Sequence, residues 1–114
     1  MNVFQWSIVE ANLNPVIGAE QRGTRPVLVV SNEEFNQVMP NVTVLPLTST
    51  QRRLYPSEVL LFPKAVGQPV TSIIMAHQIR TIAKQRLGRV RGYLDNPEIR
   101  LAVCRAIREH LDLD

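Results

Sequence analysis

The five residues Pro26-Val27-Leu28-Val29-Val30 leave a chain few choices of fold. An aliphatic run rich in β-branched side chains, opened by a proline at the one strand position that tolerates it, predicts a fully buried β-strand. Directly before it, residues 18–25 read GAEQRGTR, which is small, polar and charged. The segment 16–25 is ten residues long with two glycines, more than a hairpin needs, and therefore a candidate functional loop. Gly18 and Gly23 bracket it and would let it open and close over a substrate. Such a density of charge beside a rigid strand is unusual for a purely structural connection.

Around that strand the chain reads as strand-rich. Ser7 to Leu13 alternates loosely and stops at Asn14-Pro15. Ser31-x-x-Glu34 has the form of a capping box for a short helix running to about Val38. Val42 to Thr48 is a β-branched strand whose internal Pro46 suggests an edge or a bulge. Thr50 to Pro56 is a polar loop, Ser57 to Phe62 and Val70 to Met75 are strands, Ala83 to Leu87 is a helical turn, and Arg89 to Tyr93 is a last short strand. Asn96 caps the clearest helix, with Pro97 in its first position and Ile99, Ala102, Val103, Ala106, Ile107 and Leu111 on one face. The sum is a mainly β, α+β fold: a barrel-like core with short helices and a C-terminal helix packed on it.

Length and composition narrow the class. At 114 residues the chain predicts one domain, 1–114, with a real core. A single cysteine, Cys104, excludes a disulfide framework or a cysteine-based zinc site and reads as packing. Neither a signal peptide nor a run of membrane-spanning length is present, so the expectation is a cytoplasmic protein without a membrane partner. The net charge is only +3, yet no acidic residue falls between Glu58 and Asp95. That stretch holds Lys64, Arg80, Lys84, Arg86, Arg89 and Arg91. With Arg22, Arg25, Arg52 and Arg53 it would form a basic face for a polyanion, or a solvated face balanced by acids from elsewhere.

The segments EQRGTRPVLVVSN, VTVLPLTS, PSEVLL and HQIRTIAKQRLGRVRGYL, in this order and spacing, resemble the MazF/PemK family of toxins from toxin–antitoxin pairs. The resemblance runs from about Ile8 to the C-terminal helix. It implies a small SH3-like barrel of five to seven strands, a homodimer, and ribosome-independent, sequence-specific endoribonuclease activity on single-stranded RNA. It also implies a cognate antitoxin lying across the dimer groove, and no metal or cofactor. The chain departs from the family pattern at Trp6-Ser7, Val16-Ile17 and Ala83.

Metal-free cleavage of RNA by its own 2′-hydroxyl needs a base, an acid and charge stabilisation at the phosphate. Arg25 offers a fixed fork of donors for a phosphate, or else an ordinary ion pair at the start of a strand. Thr48 could donate a hydroxyl to a phosphoryl oxygen, although β-propensity alone also explains a threonine there. His77 and Glu20 are the candidates for proton transfer, and His77 could equally be structural or an RNA contact. Gln21 could read a base edge, and Arg22 could bind RNA or antitoxin. Ser49, Arg52, Arg53, Gln78, Arg80, Arg86 and Arg89 are the other candidate RNA contacts, mainly to phosphates, and Tyr55 is the best placed stacking ring. A CcdB-like toxin that poisons DNA gyrase without nuclease chemistry, or a member that binds RNA or antitoxin without cutting, are the alternatives.

Overall fold

The computed structural model describes residues 3–15, 17–20, 23–66 and 68–114. Seven strands form one antiparallel network: β1 (Ser7–Asn12), β2 (Thr24–Val29), β3 (Asn41–Thr48), β4 (Glu58–Leu61), β5 (Ser72–Met75), β6 (Arg80–Ala83) and β7 (Leu87–Tyr93). Helix α1 (Glu33–Val38) joins β2 to β3, and α2 (Pro97–Leu111) ends the chain. The hydrogen-bonded order is β4-β5-β3-β2-β1-β7, with β6 also paired to β3. The architecture is the expected α+β fold, with all seven strands of the expected range formed.

Burial explains the aliphatic run. In β1, β2 and β3 successive side chains point to opposite faces, and both faces are covered. Ile8, Leu28, Leu45 and Leu47 enter a cluster that Leu61, Ile74, Val103 and Ala106 complete beneath α2. Val9, Ala11, Val27, Val29, Val42 and Val44 enter a second cluster closed by Leu13 and Ile82. Pro46 does not mark an edge, because β3 is central. Residues 41–44 of β3 pair with β6 and residues 47–48 with β5. Pro46 falls in the gap where β3 changes partner on that side, so its missing N–H interrupts neither ladder there.

The helix caps divide into one expected and one corrected. Asn96 accepts from the backbone N–H of Glu98 and Ile99, and Pro97 opens α2. On α1 the cap is Asn32, not Ser31: its side chain accepts from the N–H groups of Glu34 and Phe35. Ser31 is committed elsewhere, donating to Asn36 Oδ1 and accepting from the N–H of Thr43 at 2.9 Å. Strand β6 goes beyond the expectation. Its four residues RTIA bury only Ile82, too little alternation to stand out in sequence. Leu111, expected on the buried face of α2, is 46% exposed.

Gly92 records a close approach between β7 and the turn before β5. A β-carbon there would lie 2.4 Å from the backbone oxygen of Val66. At Gly88, on the same strand, the nearest atom would be 3.6 Å away. Gly92→Ala is therefore expected to cost about 1–3 kcal/mol through forced backbone movement. Gly88→Ala should stay within about 0.5 kcal/mol of the parent. Urea midpoints measured at unchanged m-value decide the comparison.

Candidate active site

The ladder between β2 and β3 pairs Val27 with Pro46, Leu28 with Leu45 and Val29 with Val44. Continued by two residues, that register sets Arg25 opposite Thr48. The two side chains line one cleft of about 220 Å³, together with Ser49, Gln68, Ser72 and Arg91. Thr48 is buried and its Oγ1 accepts the N–H of Thr50 at 3.2 Å. Arg91 is held at its Nη1 by Glu10 Oε1, 2.9 Å away. Among the described residues lining the cleft there are two guanidiniums, several hydroxyls and no carboxylate or imidazole. This composition suits an anion, and a phosphate in particular.

Among the described residues, the remaining candidates other than Ser49 do not line this cleft. Gln21 and Arg22 lie outside the described residues. Glu20 is exposed and turned back on its own loop, where its Oε1 accepts from the N–H of Ile17 at 2.8 Å. Gln78 reaches the same loop, its Nε2 lying 3.5 Å from the Ala19 carbonyl. The base of the loop is closed by Leu13 N–H donating to Gly23 O and Gly23 N–H donating to Asn14 Oδ1. Gly23, at φ 78°, occupies the left-handed region that glycine enters without penalty. Arg80 and Arg86 brace the strand ahead of this loop. Arg80 donates to Leu13 O at 3.4 Å, and Arg86 donates to Asn12 O at 3.1 Å and to Asn14 O. Arg53 and Arg89 are exposed.

His77 belongs to a second cluster, on the 3-10 turn Ala76–Gln78 that follows β5. Its Nε2 donates to Glu58 Oε2 at 2.9 Å. The Glu58 side chain is fully buried and also receives both Nη atoms of Arg52, at 2.8 and 2.7 Å. The Tyr55 N–H adds a fourth bond at 2.7 Å. Burial alone would raise the pKa of this carboxyl, but the bonds from Arg52, Tyr55 and His77 outweigh it and hold the pKa at about 2. The same contacts push the Arg52 guanidinium up. Arg52, Tyr55 and His77 thus form one hydrogen-bonded unit around Glu58, and neither these residues nor Glu20 line the cleft.

Arg91, Gln68 and Ser72 are cleft residues that sequence reasoning did not single out. Arg91 was visible only as one cation in the acid-free run, and nothing local distinguishes it from Arg89. Glu58 was hidden inside an ordinary strand, since its role depends on partners six and nineteen residues away.

The geometry has counterparts of known family. The model of the PemK-like, MazF-like toxins of type II toxin–antitoxin systems matches residues 4–111, and the chain belongs to that family. Endoribonuclease EndoA of Bacillus subtilis (strain 168) is 39% identical over 97 residues, 84% of each chain. Endoribonuclease MazF9 of Mycobacterium tuberculosis (strain ATCC 25618 / H37Rv) is 36% identical over 111 residues, 93% of each. A solved mycobacterial endoribonuclease in complex with its cognate antitoxin superimposes with a TM-score of 0.79 at 27% identity, covering 97% of this chain and 96% of that one.

The Glu58 cluster has a pH signature. The folded-state pKa of about 2 lies below the ordinary 4.5, so the stabilisation is complete above the latter and disappears as pH falls toward the former. Glu58→Gln should be less stable than the parent at pH 7, and the gap should shrink steadily between about pH 5 and pH 2. Denaturant unfolding of both proteins across that range provides the measurement.

Proposed function

We propose that the chain is an endoribonuclease toxin that cuts single-stranded RNA at the Arg25–Thr48 cleft. The observation that carries this reading is the convergence of Arg25 and Thr48, distant in sequence, in one cleft whose described lining residues include no carboxylate. The ribose 2′-oxygen attacks the adjacent phosphorus, the P–O5′ bond breaks, and a 2′,3′-cyclic phosphate forms. Arg25 stabilises the charge that builds on the phosphoryl oxygens, and the Thr48 hydroxyl donates to one of them. Arg91, oriented by Glu10, adds a second cation for the same phosphate or its neighbour. Among its described residues the cleft is lined by neither an imidazole nor a carboxylate; in this reading the 2′-proton leaves to water and water returns one to the departing 5′-oxygen. His77 and Glu20 take no step in this mechanism.

The toxin domain spans 1–114, acts in the cytoplasm as a homodimer, and is silenced by a cognate antitoxin. The antitoxin follows from the family and from the antitoxin-bound mycobacterial relative. No helix among the described residues is long and apolar enough to cross a membrane.

The test is incubation of purified protein with a long single-stranded RNA in EDTA, followed by mapping of the ends. Discrete cuts with 2′,3′-cyclic or 3′-phosphate ends are expected. Arg25→Ala should lower kcat/KM by about 10²–10³-fold, as for loss of one preorganised donor at a developing charge. Thr48→Ala should lower it by at least about tenfold. Undiminished cleavage by Arg25→Ala would place the active site elsewhere.

A further inference from the structure

The loop 49–57 leaves the cleft directly from Thr48 and has no regular secondary structure, yet it is tied at many points. Its first turn is fixed by the Thr50 N–H on Thr48 Oγ1 and by Gln51 Nε2, which lies 3.2 Å from Ser49 O and 3.5 Å from Thr71 O. Its far end is fixed by the buried Glu58 carboxylate, which takes Arg52, the Tyr55 backbone and His77. Ala76 N–H donates to Ser57 O at 3.0 Å. This is far more anchoring than a surface loop needs in order to connect two strands.

What the anchoring presents is one aromatic ring. Tyr55 is 55% exposed, and the Arg52 guanidinium carbon lies 4.4 Å from its ring centroid. Arg52 cannot swing away, because both its Nη atoms are bonded to Glu58. One face of Tyr55 is therefore backed by a fixed cation, its backbone is pinned by the same carboxylate, and much of the ring remains open to solvent. A rigid exposed aromatic on the loop that continues from Thr48 is what stacking of an unpaired base requires. Rigidity matters because ordering a loose loop on binding would offset much of the stacking energy.

We propose that Glu58 is a positioning residue that, through Arg52, locks Tyr55 as a base-stacking platform for a nucleotide flanking the one cut at the Arg25–Thr48 cleft. The proposal rests on the RNA-cleaving reading for its substrate, but its test does not depend on catalysis. The probe is a short fluorescein-labelled single-stranded RNA of mixed sequence, 2′-O-methylated throughout so that no 2′-hydroxyl can attack. Fluorescence anisotropy measures its affinity for each variant. Tyr55→Ala is expected to weaken binding about tenfold, in line with the loss of one base–aromatic stack. Tyr55→Phe, which keeps the ring, should restore most of it. Glu58→Gln and Arg52→Met should each reproduce much of the Tyr55→Ala loss, and adding either to Tyr55→Ala should cause little further loss.

In cleavage of ordinary RNA the same variants should act on KM rather than on kcat, a split that general destabilisation of the fold would not produce. Arg52→Met serves where Glu58→Gln does not fold. Equal affinity of parent and Tyr55→Ala, or no binding of the probe by the parent, overturns the platform. Parent-like binding by folded Glu58→Gln and Arg52→Met overturns the clamp. Because the probe cannot be cut, these results stand whether or not the parent is a nuclease.

Discussion

The β2–β3 ladder joins two strands that are each buried on both faces, Leu28 and Leu45 in one cluster and Val27, Val29 and Val44 in the other. A slip of one residue would exchange every side chain between two differently shaped cores, so the register is fixed by packing on both sides. Arg25 and Thr48 lie just past the end of this rigid zone, where the strands emerge from the core. Their juxtaposition is a consequence of core packing, with no hydrogen bond needed between them. The side chains that line the cleft therefore inherit the stiffness of the sheet.

The loops that precede β2 and follow β3 are held by different means. The segment before β2 is closed by Asn14 and Gly23 and braced by Arg80 and Arg86, whose guanidiniums donate to backbone carbonyls of residues 12–14. The segment after β3 is held by a buried carboxylate. The two devices differ in their dependence on conditions. Carbonyl bonds from arginine persist at any working pH, because neither partner titrates there. The Glu58 cluster rests on a carboxylate that must stay ionised, and its low pKa keeps it so down to strongly acidic solution.

Much of the fold was legible in sequence because its signals are local. The VLVV run, the Asn96-Pro97 cap and the turn residues each act over a few positions. The misread features depended on distant partners. Ser31 looks like a cap until Thr43 and Asn36 claim its hydroxyl. Pro46 looks like an edge signal until β5 and β6 are seen to divide the neighbouring edge of β3 between them. For the basic side chains the sequence left open a face for a polyanion or one balanced by acids from elsewhere; the fold pairs Arg52 with Glu58 and Arg91 with Glu10, and turns Arg80 and Arg86 toward backbone carbonyls.

The sequence by itself determined that a charged loop abuts a buried strand, that Arg25 sits one residue from that strand, and that the chain resembles the MazF/PemK toxins. Those facts follow from side-chain type and order. Only the tertiary structure decided which groups meet: Arg25 with Thr48 and Arg91 in one cleft, and His77 with Glu58 and Arg52 outside it. A linear string carries residue chemistry but not the register of strands far apart in the chain, and in this protein the register decides which side chains share the cleft.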